Sequence, residues 1–238
     1  MRRHRHNPTL RRVDAAYLAS LLVPLALYGI GLKAAGSAGE AGDLAAFFSL
    51  VRSDLLFYAG YALLWVGIFI LARSGRPRRA AVIGLHAVSL VVVALATFAY
   101  QYFESTGTTM DFAVISFYIT TLGEIARVVA GSTPWYAWVV LAAAVAYVLA
   151  GPAVVLRLAW RLSRTEGRAY GDGARERVPV RSVATGLGLM AIGLLSMSFF
   201  PGTVDANRSY SLTPVANVLM SSVAAGEQAR LSSEALQS

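Results

Sequence analysis

Apolar positions in this chain fall into long unbroken runs instead of the short rhythms of soluble helices and strands. Cutting the sequence at every Asp, Glu, Lys and Arg leaves five long uncharged stretches. Ala15–Leu32 and Leu55–Ala72 hold 18 residues each, Ala80–Phe103 holds 24 and Ser182–Val204 holds 23. The longest, Val128–Leu156, enters its apolar part near Trp135, just after Pro134. Crossing about 30 Å of hydrocarbon takes roughly 20 helical residues at a rise of about 1.5 Å each. Only a helix satisfies its own backbone hydrogen bonds in lipid, and barrel strands would alternate instead of running apolar throughout. The pattern therefore predicts an all-α integral membrane protein with five transmembrane helices. They are expected at about 15–33, 55–73, 80–103, 135–157 and 182–201, in a membrane domain over 1–204 followed by a tail or linker over 205–238.

Between the runs the periodicity changes. Leu44, Phe47, Phe48 and Val51 follow the i, i+3, i+4, i+7 spacing of an amphipathic helix. It is expected to lie on the outer membrane surface and to lead through Arg52 and Asp54 into the second span. Two further short interfacial helices are expected over 104–133. Thr108 with Asp111 imitates a capping box, and Thr121 with Glu124 forms a regular one. In the first, Phe112, Ile115 and Ile119 share a face; Gly131 ends the second, and Thr133 caps the fourth span ahead of Pro134. In the tail, Pro214, Val215, Val218, Leu219 and Val223 predict one more short surface helix, with fraying beyond Ala225. The stretch from Arg161 to Val180 reads as a flexible charged connector.

Composition agrees with this picture. Hydrophobic residues make up 56% of the chain and charged residues only 14%, against about 25% charged in soluble domains. The absence of cysteine excludes disulfides and thiolate chemistry. A net charge of +8 is compatible with nucleic-acid binding, but the basic residues cluster between apolar runs, which is the pattern of membrane orientation. Sixteen arginines lie before the first span, between the second and third, and between the fourth and fifth. Only Lys33, Arg52, Arg127, Arg208 and Arg230 lie on the opposite side. The positive-inside rule then places the N-terminus in the cytoplasm and the tail outside, in the plasma membrane of a prokaryote. Tyr100, Tyr102, Trp135, Tyr136, Trp138 and Trp160 suit interfacial belts. A cleaved signal peptide is the other reading of the first span, but its apolar part exceeds the usual length of about 7–15 residues.

Candidate chemistry is sparse. His4 and His6 belong to a solvated basic tail. His86 lies inside the third span, where an ionisable group is a functional candidate by default; with no charged residue in the spans to partner it, a neutral ring bonded to a neighbouring helix is expected. No nucleophile elbow, phosphate loop or metalloprotease motif occurs, so no catalytic residue, metal ligand or cofactor is assigned. Ala142, Ala146 and Ala150, and Ala184 with Gly188, form small-xxx-small rows that let helices approach. Pro24 and Pro152 are expected to bend their helices. The outer face gathers Arg52, Asp54, Glu104, Asp111, Glu124 and Arg127, which read either as solvated interfacial charges and caps or as contacts for a lipid head group.

Three short stretches carry a resemblance. Val51-Arg52-Ser53-Asp54-Leu55 opens the second span, Tyr102-Phe103-Glu104-Ser105-Thr106-Gly107 followed by Asp111 leaves the third, and Leu212-Thr213-Pro214-Val215-Ala216-Asn217-Val218 follows the last. Together with the five-span order, they resemble the membrane domain of lipoteichoic acid synthase-like phosphoglycerol transferases and related sulfatases of the alkaline phosphatase superfamily. Members of that family continue into a catalytic domain with a threonine nucleophile and a divalent metal site, and this sequence stops about where that domain begins. The resemblance thus implies a non-catalytic membrane anchor that presents a lipid substrate. Its partners would be membrane lipids and a catalytic domain on the same or a neighbouring gene, with no nucleic acid. The other reading is a stand-alone membrane protein acting as a transporter subunit or assembly partner.

Overall fold

A computed structural model describes residues 12–36, 44–72, 75–121, 131, 133–163, 180–199 and 212–235. Within them the regular elements are all helices: α1 (Arg12–Gly36), α2 (Leu44–Leu71), α3 (Gly75–Thr106), α4 (Phe112–Thr120), α5 (Trp135–Ser163), α6 (Val180–Ser198) and α7 (Pro214–Ala235). Four are long and apolar enough to cross a membrane: α1, α2, α3 and α5. The apolar part of α6, Ala184–Ser198, is shorter than a full span. The chain is therefore a multi-pass membrane protein by its helices.

Hydrogen bonds give the register. Tyr17 Oη on α1 lies 2.6 Å from His86 Nε2 on α3, and Tyr28 Oη lies 2.6 Å from Thr97 Oγ1. The two contacts are eleven residues apart on both helices, close to three turns, so α1 and α3 run parallel. α2 packs most extensively on α6. Ser53 Oγ donates to the Ser198 carbonyl. A Cβ on Gly60 would sit 3.0 Å from the Ala191 carbonyl oxygen, and one on Gly67 would sit 3.7 Å from that of Ala184. Ser53, Gly60 and Gly67 step by seven along α2, while Ser198, Ala191 and Ala184 step by seven backwards along α6, so these helices run antiparallel. Hydrocarbon is no worse a solvent for leucine than a neighbouring helix is, so close backbone approach and interhelical hydrogen bonds provide the association. This seam provides both.

The buried face of α2 carries Phe57, Tyr61, Trp65 and Phe69 at every fourth position, with successive ring centroids 6.0, 6.1 and 6.5 Å apart. Tyr61 is tied to Ser89 of α3 at 3.1 Å, and Tyr147 of α5 donates to the Ser20 carbonyl of α1 at 2.6 Å. At one end of the bundle Arg78 pairs with Asp14 and lies 3.9 Å over the Phe69 ring, joining α1, α2 and α3. The opposite end holds the C-terminal ends of α1, α3 and α6, the start of α2, and both α4 and α7. These are called the arginine end and the tail end below.

Several expectations change. Leu44–Val51 does not form a separate surface helix; it is continuous with the second span in α2. The third span begins earlier, at Gly75, whose φ of 70° suits glycine at the turn into α3. Asp111, not Thr108, caps α4: its φ is −113° and its carboxylate accepts from the Val114 N–H at 2.9 Å. α7 does not fray after Ala225 but continues to Ala235. Ala142, Ala146 and Ala150 are exposed on α5 and do not bring helices together. Ala184 is buried, but a Cβ on Gly188 meets nothing; the packing row is Ala184, Ala191 and Ser198. α1 and α5 are continuous helices through Pro24 and Pro152, which is compatible with the expected bends. Trp135, Tyr136 and Trp138 are exposed at the start of α5, as a belt requires. The second interfacial helix over 122–130 and the connector over 164–179 lie outside the described residues.

Candidate functional site at the tail end of the bundle

The sequence bounds two spans with ionisable residues, Lys33 near the end of α1 and Asp54 near the start of α2. The antiparallel connection brings them together. Lys33 Nζ donates to Asp54 Oδ2 at 2.6 Å, with side chains only 6% and 3% exposed. Such a buried pair holds together because each charge is costly alone in a low-dielectric surround. Lys33 Nζ also reaches the Leu212 carbonyl at 3.4 Å, just ahead of α7.

Ser53, next in sequence to Asp54, is a second connection to the tail. Besides donating to Ser198, its oxygen accepts from the Thr213 N–H at 3.1 Å. Thr213 is itself buried and caps α7, accepting from the Ala216 N–H at 3.1 Å. Further along α7, Asn217 Nδ2 donates to the Met110 carbonyl at 2.8 Å, and Ser221 Oγ accepts from the Phe112 N–H at 2.7 Å. The start of α7 is thus fastened both to the bundle and to α4.

Beneath this fastening lies a cavity of about 40 Å³, enough for roughly three waters. Lys33, Asp54 and Tyr58 line it from α1 and α2, Tyr100 from α3, and Asn217 from α7; the remaining lining is mainly apolar. Gly29 is required here: a Cβ at that position would stand 1.9 Å from Tyr58 Oη.

The six residues singled out from sequence separate. Asp54 is in the cavity wall as half of the ion pair. Arg52 and Glu104 are exposed, and Asp111 serves α4 as its cap. None of these three lines the cavity. Glu124 and Arg127 lie outside the described residues. The polar contributors missed by sequence reasoning are Lys33, Tyr58, Tyr100, Thr109 and Asn217. Lys33 carried a signal, being the only lysine and standing at a span boundary; Tyr100 read only as an interfacial-belt aromatic, and Tyr58 carried no signal, being an ordinary span residue by composition. His86 takes the expected bond to a neighbouring helix through Tyr17, while its Nδ1 is buried without a partner in the structure. Among the described residues, no three His, Asp or Glu side chains converge as metal ligands. No family model matches the chain, and no curated protein or solved structure matches it either.

Proposed function

We propose that this chain is the membrane anchor and lipid-presenting module of a phosphoglycerol-transferase- or sulfatase-like extracytoplasmic enzyme. In this reading five helices cross a prokaryotic plasma membrane, with the N-terminus cytoplasmic and the tail end outside. The module is non-catalytic by itself and contributes lipid binding next to the tail. The observation that carries the reading is that the start of α7 lines the cavity beside the Lys33–Asp54 pair. The stretch Leu212–Val218, which resembles the linker ahead of a catalytic domain, supplies cavity-lining residues through Leu212, Pro214 and Asn217. A lipid held there would lie directly against the segment joining anchor to enzyme. The sixteen arginines of the basic clusters support the orientation, because the Asp14–Arg78 pair and the cluster Arg76, Arg78 and Arg79 sit at the end opposite the cavity.

The test replaces Tyr100, in the cavity wall, with p-benzoylphenylalanine in cells and identifies the crosslinked species by mass spectrometry. Leu189, 67% exposed on α6, serves as the bulk-lipid control. Enrichment of one lipid class at position 100 over position 189 is the expected result. Identical adduct mixtures at both positions would remove the presenting role.

A further inference from the structure

The Tyr58 hydroxyl has an unusual environment. The residue is only 8% exposed, packs its ring on Phe57 at 5.3 Å, and has its oxygen against Gly29. Tyr17, Tyr28, Tyr61 and Tyr147 each bond across to another helix. Tyr58 makes no hydrogen bond to any described residue, although it lines the cavity. A hydroxyl that faces a cavity without a protein partner takes its hydrogen bonds from water or from a ligand held there.

Charge and size narrow the class of ligand. Among the described residues that line the cavity, the ionic groups are Lys33 and Asp54, which neutralise one another at 2.6 Å. The carboxylate retains acceptor capacity beyond its one bond to lysine, while the phenol offers a donor and an acceptor. Asn217 adds an amide whose nitrogen is already committed to Met110. This set suits a group that both donates and accepts. The space, about 40 Å³, admits a group of a few atoms.

We infer that the cavity at the tail end is a site for an uncharged hydroxyl group, recognised by Tyr58 and Asp54 and covered by the start of α7. The inference deepens the lipid-presenting reading and rests on it for the source of the hydroxyl. Alcohol recognition by itself does not need that reading. A hydroxyl that donates to Asp54 and accepts from Tyr58 satisfies both groups at once. A methyl ester or ether in the same place satisfies only the phenol and leaves the carboxylate without that donor. Discrimination therefore comes from the unpaired groups left behind as much as from the bonds gained.

The experiment uses the full chain in nanodiscs and measures thermal unfolding with three additives: monoolein, methyl oleate, and millimolar free glycerol. Monoolein and methyl oleate share an acyl chain, but only monoolein carries hydroxyls. The expected result is a rise in Tm of about 2–4 °C with monoolein and none with methyl oleate. In Tyr58→Phe, which keeps the ring and removes only the oxygen, the rise falls by half or more. A comparable rise with free glycerol, also lost in Tyr58→Phe, would support hydroxyl recognition with a soluble source and count against a lipid one. Equal shifts from monoolein and methyl oleate, an undiminished shift in Tyr58→Phe, or no shift with any hydroxyl compound would overturn the inference. Should Tyr58→Phe fail to fold, Gly29→Ala provides the same comparison, since its Cβ displaces the phenol. Failure here with enriched lipid crosslinks at position 100 would leave the presenting role intact and reject only the hydroxyl.

Discussion

The Lys33–Asp54 pair makes a quantitative prediction. At 2.6 Å and an effective dielectric near 20, the gross attraction is about 6 kcal/mol. Desolvating the two ions offsets several kcal/mol each, so the net contribution of the intact pair is small. Removing one member is a different matter, because the survivor keeps its desolvation cost and loses its partner. With side chains 6% and 3% exposed, the few waters that the cavity admits replace the lost partner only in part. Lys33→Met and Asp54→Leu are each expected to destabilise by about 3–5 kcal/mol, whereas the double variant stays within about 1 kcal/mol of wild type. The loss of the Lys33 bond to the Leu212 carbonyl, long at 3.4 Å, adds little. Reversible unfolding in mixed micelles, run as a double-mutant cycle, gives the coupling energy directly. Single variants that each cost less than about 1 kcal/mol, with no coupling, would show a pair exchanging freely with water, as surface pairs do. The description of the pair as buried would then be wrong.

The helix seam gives a paired test. Gly60→Ala places a methyl 2.8 Å from Leu195 Cγ and 3.0 Å from backbone atoms on α6, and is expected to cost about 1–3 kcal/mol by overpacking. Gly67→Ala meets only ordinary contacts at 3.7 and 3.9 Å and should be neutral or slightly stabilising; thermal melts that reversed this order would refute the seam. Asp111→Ala is expected to remove about 1 kcal/mol from α4, seen as faster amide exchange at Val114, with Asp111→Asn largely retaining protection. Reversing the charges of Arg76, Arg78 and Arg79 together is expected to perturb topology. Single cysteines, introduced into a chain that has none, would report it through an impermeant thiol reagent, and an unchanged labelling map would show that this cluster does not set orientation.

That the chain carries several membrane-crossing helices was legible in the sequence, because crossing lipid demands long apolar runs and charges mark their ends. Which side of each helix turns inward was not legible. A helix apolar all round has no polar side to distinguish core from lipid. Ala142, Ala146 and Ala150 show the consequence: a row that looks like a packing face is exposed. The true seam has the same small residues at a spacing of seven, and it becomes visible only when α2 and α6 are read together in opposite directions. The extension of α2 back to Leu44 was obscured by Arg52 and Asp54, which look like a boundary in sequence. They are tolerated inside a helix there because Arg52 is exposed and Asp54 has Lys33. α7 runs on past Ala225 through Glu227, Gln228, Arg230 and Leu231, good helix formers that outweigh the surrounding serines.

The same geometry explains why the polar residues grouped from sequence did not form one site. Successive residues on a helix point about 100° apart, so a contiguous motif distributes its side chains instead of concentrating them. In Arg52-Ser53-Asp54, arginine is exposed, serine reaches α6 and the tail, and aspartate meets α1. Three neighbours serve three partners. A site at the end of a bundle is instead assembled from residues four apart on each helix. Gly29 and Lys33 on α1, Asp54 and Tyr58 on α2, and Ala96 and Tyr100 on α3 all line the cavity at that spacing. Each of these pairs combines a residue that shapes the space with one that brings a polar group, or brings two polar groups together. The parallel register of α1 and α3, with α2 antiparallel between their ends, brings the three pairs to one level. Only then does Tyr58, ordinary in sequence, turn a hydroxyl into the cavity that no described residue satisfies.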